Sequence, residues 1–421
     1  MKAVSRDDRK AVIVIGAGMA GLSCAVHLHR RGIPVLVLEA GNDVGGRVRT
    51  DLVNGFRLDR GFQVYLDSYP ETGSLLNLEK LDLRPFEPGA LVYKDGQLHR
   101  LMDVFRRPGS AFESVRAPVG SFLDKLRTGW LRTRILSSSL KEINQRPDRS
   151  TEAYLEEAGF SGSMIDSFFR SFYGGIFLER DLRTSSRMFE FTFKMFGKGS
   201  ATLPSKGMGE IPKQLSAQLP EKCLRLNTKV SRVEPDRVVL SSGEEIFGSS
   251  IVVATDATVA RQLLPNTSWP ETKWRSVTNL YYAADQSPVK EPIICLNGNG
   301  GGLVNNVCAL TDASPEYAED GRALMSVSVL GLHDDQELPS LVKQELVGWF
   351  GLDVEQWEHL RTDRIKRALP EQLPKTKTAQ EKNKNQMQSG IYLCGDYCLS
   401  ASIEGAVISG KQVALEIQNN Q

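Results

Sequence analysis

Gly16-Ala-Gly18-Met-Ala-Gly21 follows directly on the β-branched run Ala11-Val-Ile-Val-Ile15 and opens a helical pattern through Leu22, Ala25, Val26 and Leu28 that stops near Gly32. A continuous apolar run of this kind reads as a strand buried on both faces of a parallel sheet. In Gly-x-Gly-x-x-Gly the first glycine permits a tight turn, the second lets a pyrophosphate approach the backbone, and the third lets helix and strand pack closely. The amides at the helix start then face the phosphates, and the helix dipole favours their negative charge. A second buried run, Pro34 to Leu38, ends in Glu39, 18 residues beyond Gly21, where a carboxylate can accept from an adenosine ribose hydroxyl. These residues form a β-α-β unit with its punctuation in place.

The chain has 421 residues, which at ~150 per domain suggests two or three folding units. Lys plus Arg is 52 and Asp plus Glu is 51, a balance that argues against a nucleic-acid partner and against a disordered acidic chain. Six Cys with no Cys-x-x-Cys pair imply neither a disulfide framework nor a zinc site, and a reducing, cytoplasmic location fits. The longest mostly apolar stretch, Ala11 to Val26, has 16 residues, fewer than the ~20 that span a bilayer. Asp7 and Asp8 precede it and three Gly interrupt it, unlike a signal peptide. The five His show no metal-ligand spacing, and neither a catalytic triad nor a metal site is predicted.

The end of the chain repeats the opening in shorter form: Gly390-Ile-Tyr-Leu-Cys394 reads as a buried strand, Gly395-Asp396 as the turn after it, and Ser402 to Ile417 as a helix. The two termini are therefore expected to build one domain together. Between them, Thr151 to Gln218 is helix-like and aromatic-rich, Val230 to Ala254 reads as a β-meander, and Tyr281 to Leu330 alternates strands with Gly and Asn turns. Pro374 to Gln388 is polar and Lys-rich and reads as a solvated loop.

Several motifs resemble the flavin-containing amine oxidase superfamily, which includes monoamine and polyamine oxidases, protoporphyrinogen oxidase and phytoene desaturases. They are Val12 to Leu22, Leu38-Glu-Ala40 with Gly45-Gly46-Arg47, Phe56 to Phe62, Leu203 to Gly209, and Cys394-Gly395-Asp396 with Glu404-Gly405-Ala406-Val407. The resemblance implies a FAD-dependent oxidoreductase. Gly16, Gly18, Met19, Ala20 and Gly21 would hold the pyrophosphate, Glu39 and Ala40 the adenosine ribose, and Gly45, Gly46 and Arg47 a second clamp near phosphates and flavin. Val230 would contact adenine through its backbone, and Gly395 and Asp396 would meet the pyrophosphate and ribityl chain. Amides from Ile403 to Ala406, at a helix start, would stabilise negative charge on the reduced ring. Gly61 and Phe62 would run beside that ring, and Gln63 either borders its reactive face or serves as a turn residue.

No Cys lies between Cys308 and Cys394, so the FAD is expected to be non-covalent. Amine oxidases of the superfamily commonly carry a Lys near the flavin and an aromatic cage; the matching places here hold Asn279 and Ser402. With Gln63, these are the candidates for lining the flavin, and their identity tilts the expectation toward CH–CH dehydrogenation or an unusual CH–NH substrate. A non-catalytic flavin-binding protein, or a typical amine oxidase with a diverged site, is the alternative.

The expected fold is α/β, a Rossmann-type FAD-binding domain from residues 1–92, 205–265 and 362–421, with a mixed-sheet and helical substrate-binding domain from 93–204 and 266–361. The substrate is a small molecule, apolar or an amine. Phe168, Phe169, Phe172, Tyr173, Phe177 and the phenylalanines from Phe189 to Phe196 read as core that can also wall an apolar tunnel. Residues 100–141 carry nine Lys or Arg and three Asp or Glu, with Phe122, Leu126 and Trp130 at helical spacing. Such a helix either faces water with its charges or makes peripheral membrane contact.

Overall fold

The computed structural model describes residues 11–265, 271–374, 386–388 and 390–420. Val12–Ile15 (β1) is buried throughout and lies between Val35–Leu38 (β2) and the strand Ser250–Val253, parallel to both. Parallel neighbours need a crossover, and helix Met19–Arg30 (α1) supplies it between β1 and β2. The six-stranded sheet runs Leu224–Arg225, β2, β1, Ser250–Val253, Ile391–Leu393 and Gln386–Gln388, with only the last pair antiparallel. The two ends of the chain thus meet in one sheet, as the paired strand-to-helix transitions predict.

Both faces of this sheet are covered, which is why its strands carry no alternation of polar and apolar residues. Val12 and Val14 pack toward α1 and the last helix, Ile403–Asn419, whereas Ile13 and Ile15 pack toward an antiparallel meander made of Val230–Glu234, Arg237–Leu240 and Glu245–Phe247. The two helices approach closely at Gly410, where a Cβ would stand 2.1 Å from the Ala20 carbonyl oxygen, and Ser23 Oγ donates to the Val407 carbonyl at 2.8 Å.

Two expectations are corrected here. Ser250-Ile-Val-Val does not finish the meander; it leaves it and becomes the central partner of β1. All four of its residues are buried, a degree of apolarity that a one-sided meander strand does not need. In the polar stretch Pro374 to Gln388, residues 375–385 lie outside the described residues, and Gln386–Gln388 forms the sheet's edge strand rather than loop. Edge strands tolerate polar residues because one flank of them is unpaired.

A second, seven-stranded sheet runs Glu358–Pro370, Trp274–Ala284, Ala323–Leu330, Val304–Ala309, Ile294–Asn297, Gly89–Lys94 and Gln97–Met102. One face packs on helix Leu338–Phe350. Against the other lie helices between residues 111 and 198, around a core containing Phe169, Tyr173, Phe177 and Phe189. Among the described residues no helix is long and apolar enough to cross a membrane, and no three or more His, Cys, Asp or Glu are grouped to hold a metal ion.

Candidate functional site

Each glycine of the opening motif meets a different constraint. Gly16 adopts φ +103°, and a Cβ there would stand 3.0 Å from the Ala254 carbonyl oxygen. A Cβ on Gly21 would lie 2.0 Å from the Gly16 carbonyl oxygen, so the helix rests directly on the turn. Gly18 is the exception: among the described residues nothing beyond its chain neighbours stands within 4 Å of the position its Cβ would take. Its small size leaves open space in front of the first turn of α1, an end that no side chain caps and whose leading amides have no partner within the helix. A cradle of backbone donors facing room fits a pyrophosphate.

The surrounding loops are tied to this cradle. Gly45, at φ +105°, forms an isolated parallel bridge with Gly18 and donates its amide to the Ala17 carbonyl at 2.8 Å. Glu39 closes β2 with a carboxylate that accepts from the Ala17 amide and the Gly41 amide, each at 2.7 Å. Gly16, Gly18, Met19 and Ala20, with Glu39, Ala40, Gly45 and Gly46, border one continuous cavity of about 1410 Å³. Single small-molecule pockets span roughly 300 to 1,000 Å³, so this space is larger than one such ligand requires. Val230 enters the cavity wall from the meander. Gly21 does not: the expectation that it holds the pyrophosphate is corrected, because its Cα faces the Gly16 carbonyl rather than the cavity.

Arg47 joins four parts of the chain. Its Nη2 donates to Asp396 Oδ1 at 2.7 Å, its Nη1 donates to the Ala368 carbonyl at 3.1 Å, its guanidinium sits 5.5 Å from the Trp274 ring centroid, and its own carbonyl accepts from Gln63 Nε2 at 2.8 Å. Arg47, Gln63, Gly395 and Asp396 all border the cavity. Asp396 is also a local turn acceptor, taking the Tyr397 amide at 3.1 Å. Gln63 therefore holds the Arg47 loop, as the turn reading expects, and also borders the cavity.

The start of the last helix faces the same space through Ser402, Ile403 and Ala406, while Gly61 and Phe62 border it from the chain that follows strand Phe56–Asp59. Ser402 Oγ is engaged as the helix cap, accepting from the Gly405 amide at 2.9 Å. Asn279 is a correction. It is fully buried and does not border the cavity; its amide donates to Ser326 Oγ at 3.1 Å, and its oxygen accepts from Ser326 and Ser328 Oγ at 3.3 and 3.1 Å. Ser328 and Asn306, the next members of this cross-strand rung, are the ones that reach the cavity.

Beyond Phe62 the walls become aromatic. Phe168, Phe172, Phe193 and Phe196 border the cavity, whereas Phe177 and Phe189 stay in the core behind them. No cysteine borders it among the described residues, and burial pushes the Cys394 thiol, next to Gly395, well above its usual range. His27, buried on α1, is lowered to about 4 by burial and then by Arg31, so it stays neutral and structural.

Sequence reasoning missed Asp256 and the strand Glu358–Pro370, both on the cavity wall. Asp256 caps helix Ala257–Leu263 and pairs with Arg367 at 3.0 Å. Its signal was present, an Asp just after a buried strand and just before an Ala-rich helical stretch, but assigning that strand to the meander hid it. Asp59 was missed as well. It accepts from Thr50 Oγ1, Tyr317 Oη and the Met208 amide, yet burial outweighs these bonds and pushes its carboxyl up to about 6.

The model of the family described as flavin containing amine oxidoreductase matches residues 19–418. Protoporphyrinogen oxidase 2, chloroplastic/mitochondrial, from Arabidopsis thaliana is 31% identical over 171 residues, 39% of this chain and 32% of that protein. Phytoene desaturase from Cercospora nicotianae is 35% identical over 100 residues, 22% of this chain and 16% of that protein. The chain thus spans a third or less of the length of these curated relatives. A solved structure of putrescine oxidase, redesigned in its cofactor binding, superposes with a TM-score of 0.73 at 16% identity, covering 98% of this chain and 99% of that one, a likeness of fold.

Proposed function

The chain belongs to the flavin containing amine oxidoreductase family and is on that ground a FAD-dependent oxidoreductase; from this premise we propose that a C–H bond of an apolar organic molecule gives up a hydride while the adjoining C–H or N–H gives its proton to water, leaving a C=C or C=N bond, with the electrons passed on to oxygen or another acceptor. Bound FAD supplies the two-electron acceptor. The observation that carries this reading is the single cavity shared by the glycine cradle and the aromatic walls.

In this reading the open face of Gly18 admits the pyrophosphate, and the leading amides of α1 bind it. Glu39 keeps lone pairs for the adenosine ribose while its bonds to Ala17 and Gly41 hold the turn in shape. Arg47, fixed by Asp396 and Gln63, adds positive charge near the phosphates. The start of helix Ile403–Asn419 directs the positive end of its dipole at the cavity and stabilises negative charge arising there. Phe168, Phe172 and Phe193 orient the substrate by its apolar body and exclude water.

CH–CH dehydrogenation is favoured over amine oxidation by two placements. Ser402, at the place of the aromatic wall, caps the helix, and Asn279, at the place of the water-holding Lys, turns into the sheet, so neither feature of an amine site is supplied there. Anaerobic mixing of the yellow protein with amines, porphyrinogens and polyenes tests this. Bleaching of the visible flavin band by a polyene or porphyrinogen is the expected result, bleaching by amines alone returns the reading to amine oxidation, and unchanged colour across the panel overturns it in favour of a passive flavin-binding protein.

A further inference from the structure

The aromatic end of the cavity opens beside helix Phe122–Ser137, whose start is fixed by a reciprocal cap between Ser121 and Asp124. At 3.6 residues per turn, Phe122, Leu123, Leu126 and Trp130 share an arc about 100° wide. They are 58%, 58%, 56% and 55% exposed, while Leu131 and Ile135 on the opposite side are fully buried. The helix therefore has two apolar faces, and every residue of the outer one is more than half exposed. Phe105, Phe112 and Val115 extend the patch along the neighbouring segment. Isolated exposed apolar residues are ordinary; a contiguous group of this size marks a binding surface.

Positive charge frames the same face. By helical position Arg127 and Arg134 flank one edge of the apolar arc, and Lys125 and Arg132 the other. Arg116 lies 4.0 Å from the Phe112 ring centroid and Arg134 5.4 Å from that of Trp130, and neither makes an ion pair among the described residues. The segment 100–141, with nine Lys or Arg against three Asp or Glu, concentrates cations in a chain whose total charge is +1.

We infer that this face docks on an anionic lipid surface. Rings and aliphatic side chains in one arc, with cations along both edges, match an interface that is apolar beneath and negatively charged at the headgroups. A second copy of the chain would bring the same cations against one another. Phe105, Phe122, Lys125, Leu126 and Arg132 belong both to this face and to the cavity wall, so docking would close the mouth with lipid instead of water. That a lipid-dissolved molecule enters there rests on the reaction proposed above; docking itself does not.

Co-sedimentation of the yellow, full-length protein with vesicles tests the inference independently of any turnover. Phosphatidylcholine vesicles containing phosphatidylglycerol should bind it about tenfold or more tightly than phosphatidylcholine alone, and high salt should weaken the difference. Leu123→Glu with Trp130→Glu, at positions outside the cavity wall, should remove binding while flavin content and melting temperature stay at the parent values. Arg116→Gln with Arg134→Gln should reduce the preference for anionic vesicles and keep the fold. Absence of binding to both vesicles, or binding that the Leu123 and Trp130 changes leave intact, overturns the inference. Self-association in sedimentation velocity that those same changes abolish would assign the face to a second copy and overturn it equally.

Discussion

Gly18 and Gly21 stand three residues apart and should fail in opposite ways. Gly18→Val places its side chain in space that the protein leaves empty, so the variant should fold with a near-parental melting temperature and purify colourless. Gly21→Ala forces a methyl against the Gly16 carbonyl and should reduce soluble yield, because turn and helix must separate. A yellow Gly18→Val protein would refute the phosphate assignment. Glu39→Ala removes two amide contacts within the turn as well as the acceptor proposed for the ribose; flavin retention should fall by about tenfold, equivalent to ~1.4 kcal/mol, measured by equilibrium dialysis. Asp59 makes a pH prediction. Its folded-state carboxyl is raised by burial to about 6 from the usual 3.8, so the folded state binds the proton more tightly than the unfolded one. The stability this contributes is complete below pH ~4 and is lost as pH rises through ~6. In urea titrations across that window, Asp59→Asn should flatten this component of the pH dependence; an unchanged slope would show that other groups carry it.

At the scale of elements, the last helix holds more than the cavity. Glu404, in its first turn and 1% exposed, accepts from the Glu71 and Thr72 amides at 2.8 and 2.9 Å and from Thr72 Oγ1 at 2.6 Å, which pins the helix Pro70–Leu75 to it. Glu404→Ala would leave those donors buried and unpaired and should cost about 3 kcal/mol, visible as a lowered melting temperature, whereas Glu404→Gln should recover part of the loss. This scale also shows what could be read before any coordinates. β1, α1, β2, the final strand and the final helix were all legible, because continuous apolar runs, glycine spacing and capping residues are local signals. Whether Ser250-Ile-Val-Val pairs with the meander or with β1 is decided by which face needs covering, and a strand's own residues do not contain its partner. The glycine turn between β1 and α1 was legible for the same local reason, although Gly21 packs on the turn instead of bordering the cavity. Asn279 was not, since period-2 alternation gives the face of a strand only once its register is known, and Ser326 and Ser328 come from a distant strand. The Arg47–Asp396 pair, 349 residues apart, left no trace in either neighbourhood.

Across the whole molecule, the cavity wall draws on the beginning, middle and end of the chain, so a molecule bound there ties those segments together. Removing FAD should lower the melting temperature, and adding it back at a hundred times its dissociation constant should restore about 2.7 kcal/mol. An apoprotein that melts at the holoprotein's temperature would argue that the sheet closes without help. The division into residues 1–92, 205–265 and 362–421 against 93–204 and 266–361 is proposed on the same scale: partial proteolysis of the yellow protein should cut between these blocks and leave flavin with fragments that still adhere.

The central place of β1, between β2 and strands whose residues come more than two hundred positions later, has a consequence for biosynthesis. Ile391–Leu393 must emerge from the ribosome before the sheet can be completed, and at 5 to 20 residues per second that is roughly 20 to 80 seconds after β1. Its neighbour Ser250–Val253 emerges roughly 12 to 48 seconds after β1 at the same rate, and until then the nascent Val-Ile-Val-Ile edge lacks that partner and is a natural client for chaperones. A cofactor held by this wall should accordingly load only once Gly395 and Asp396 have emerged to complete it.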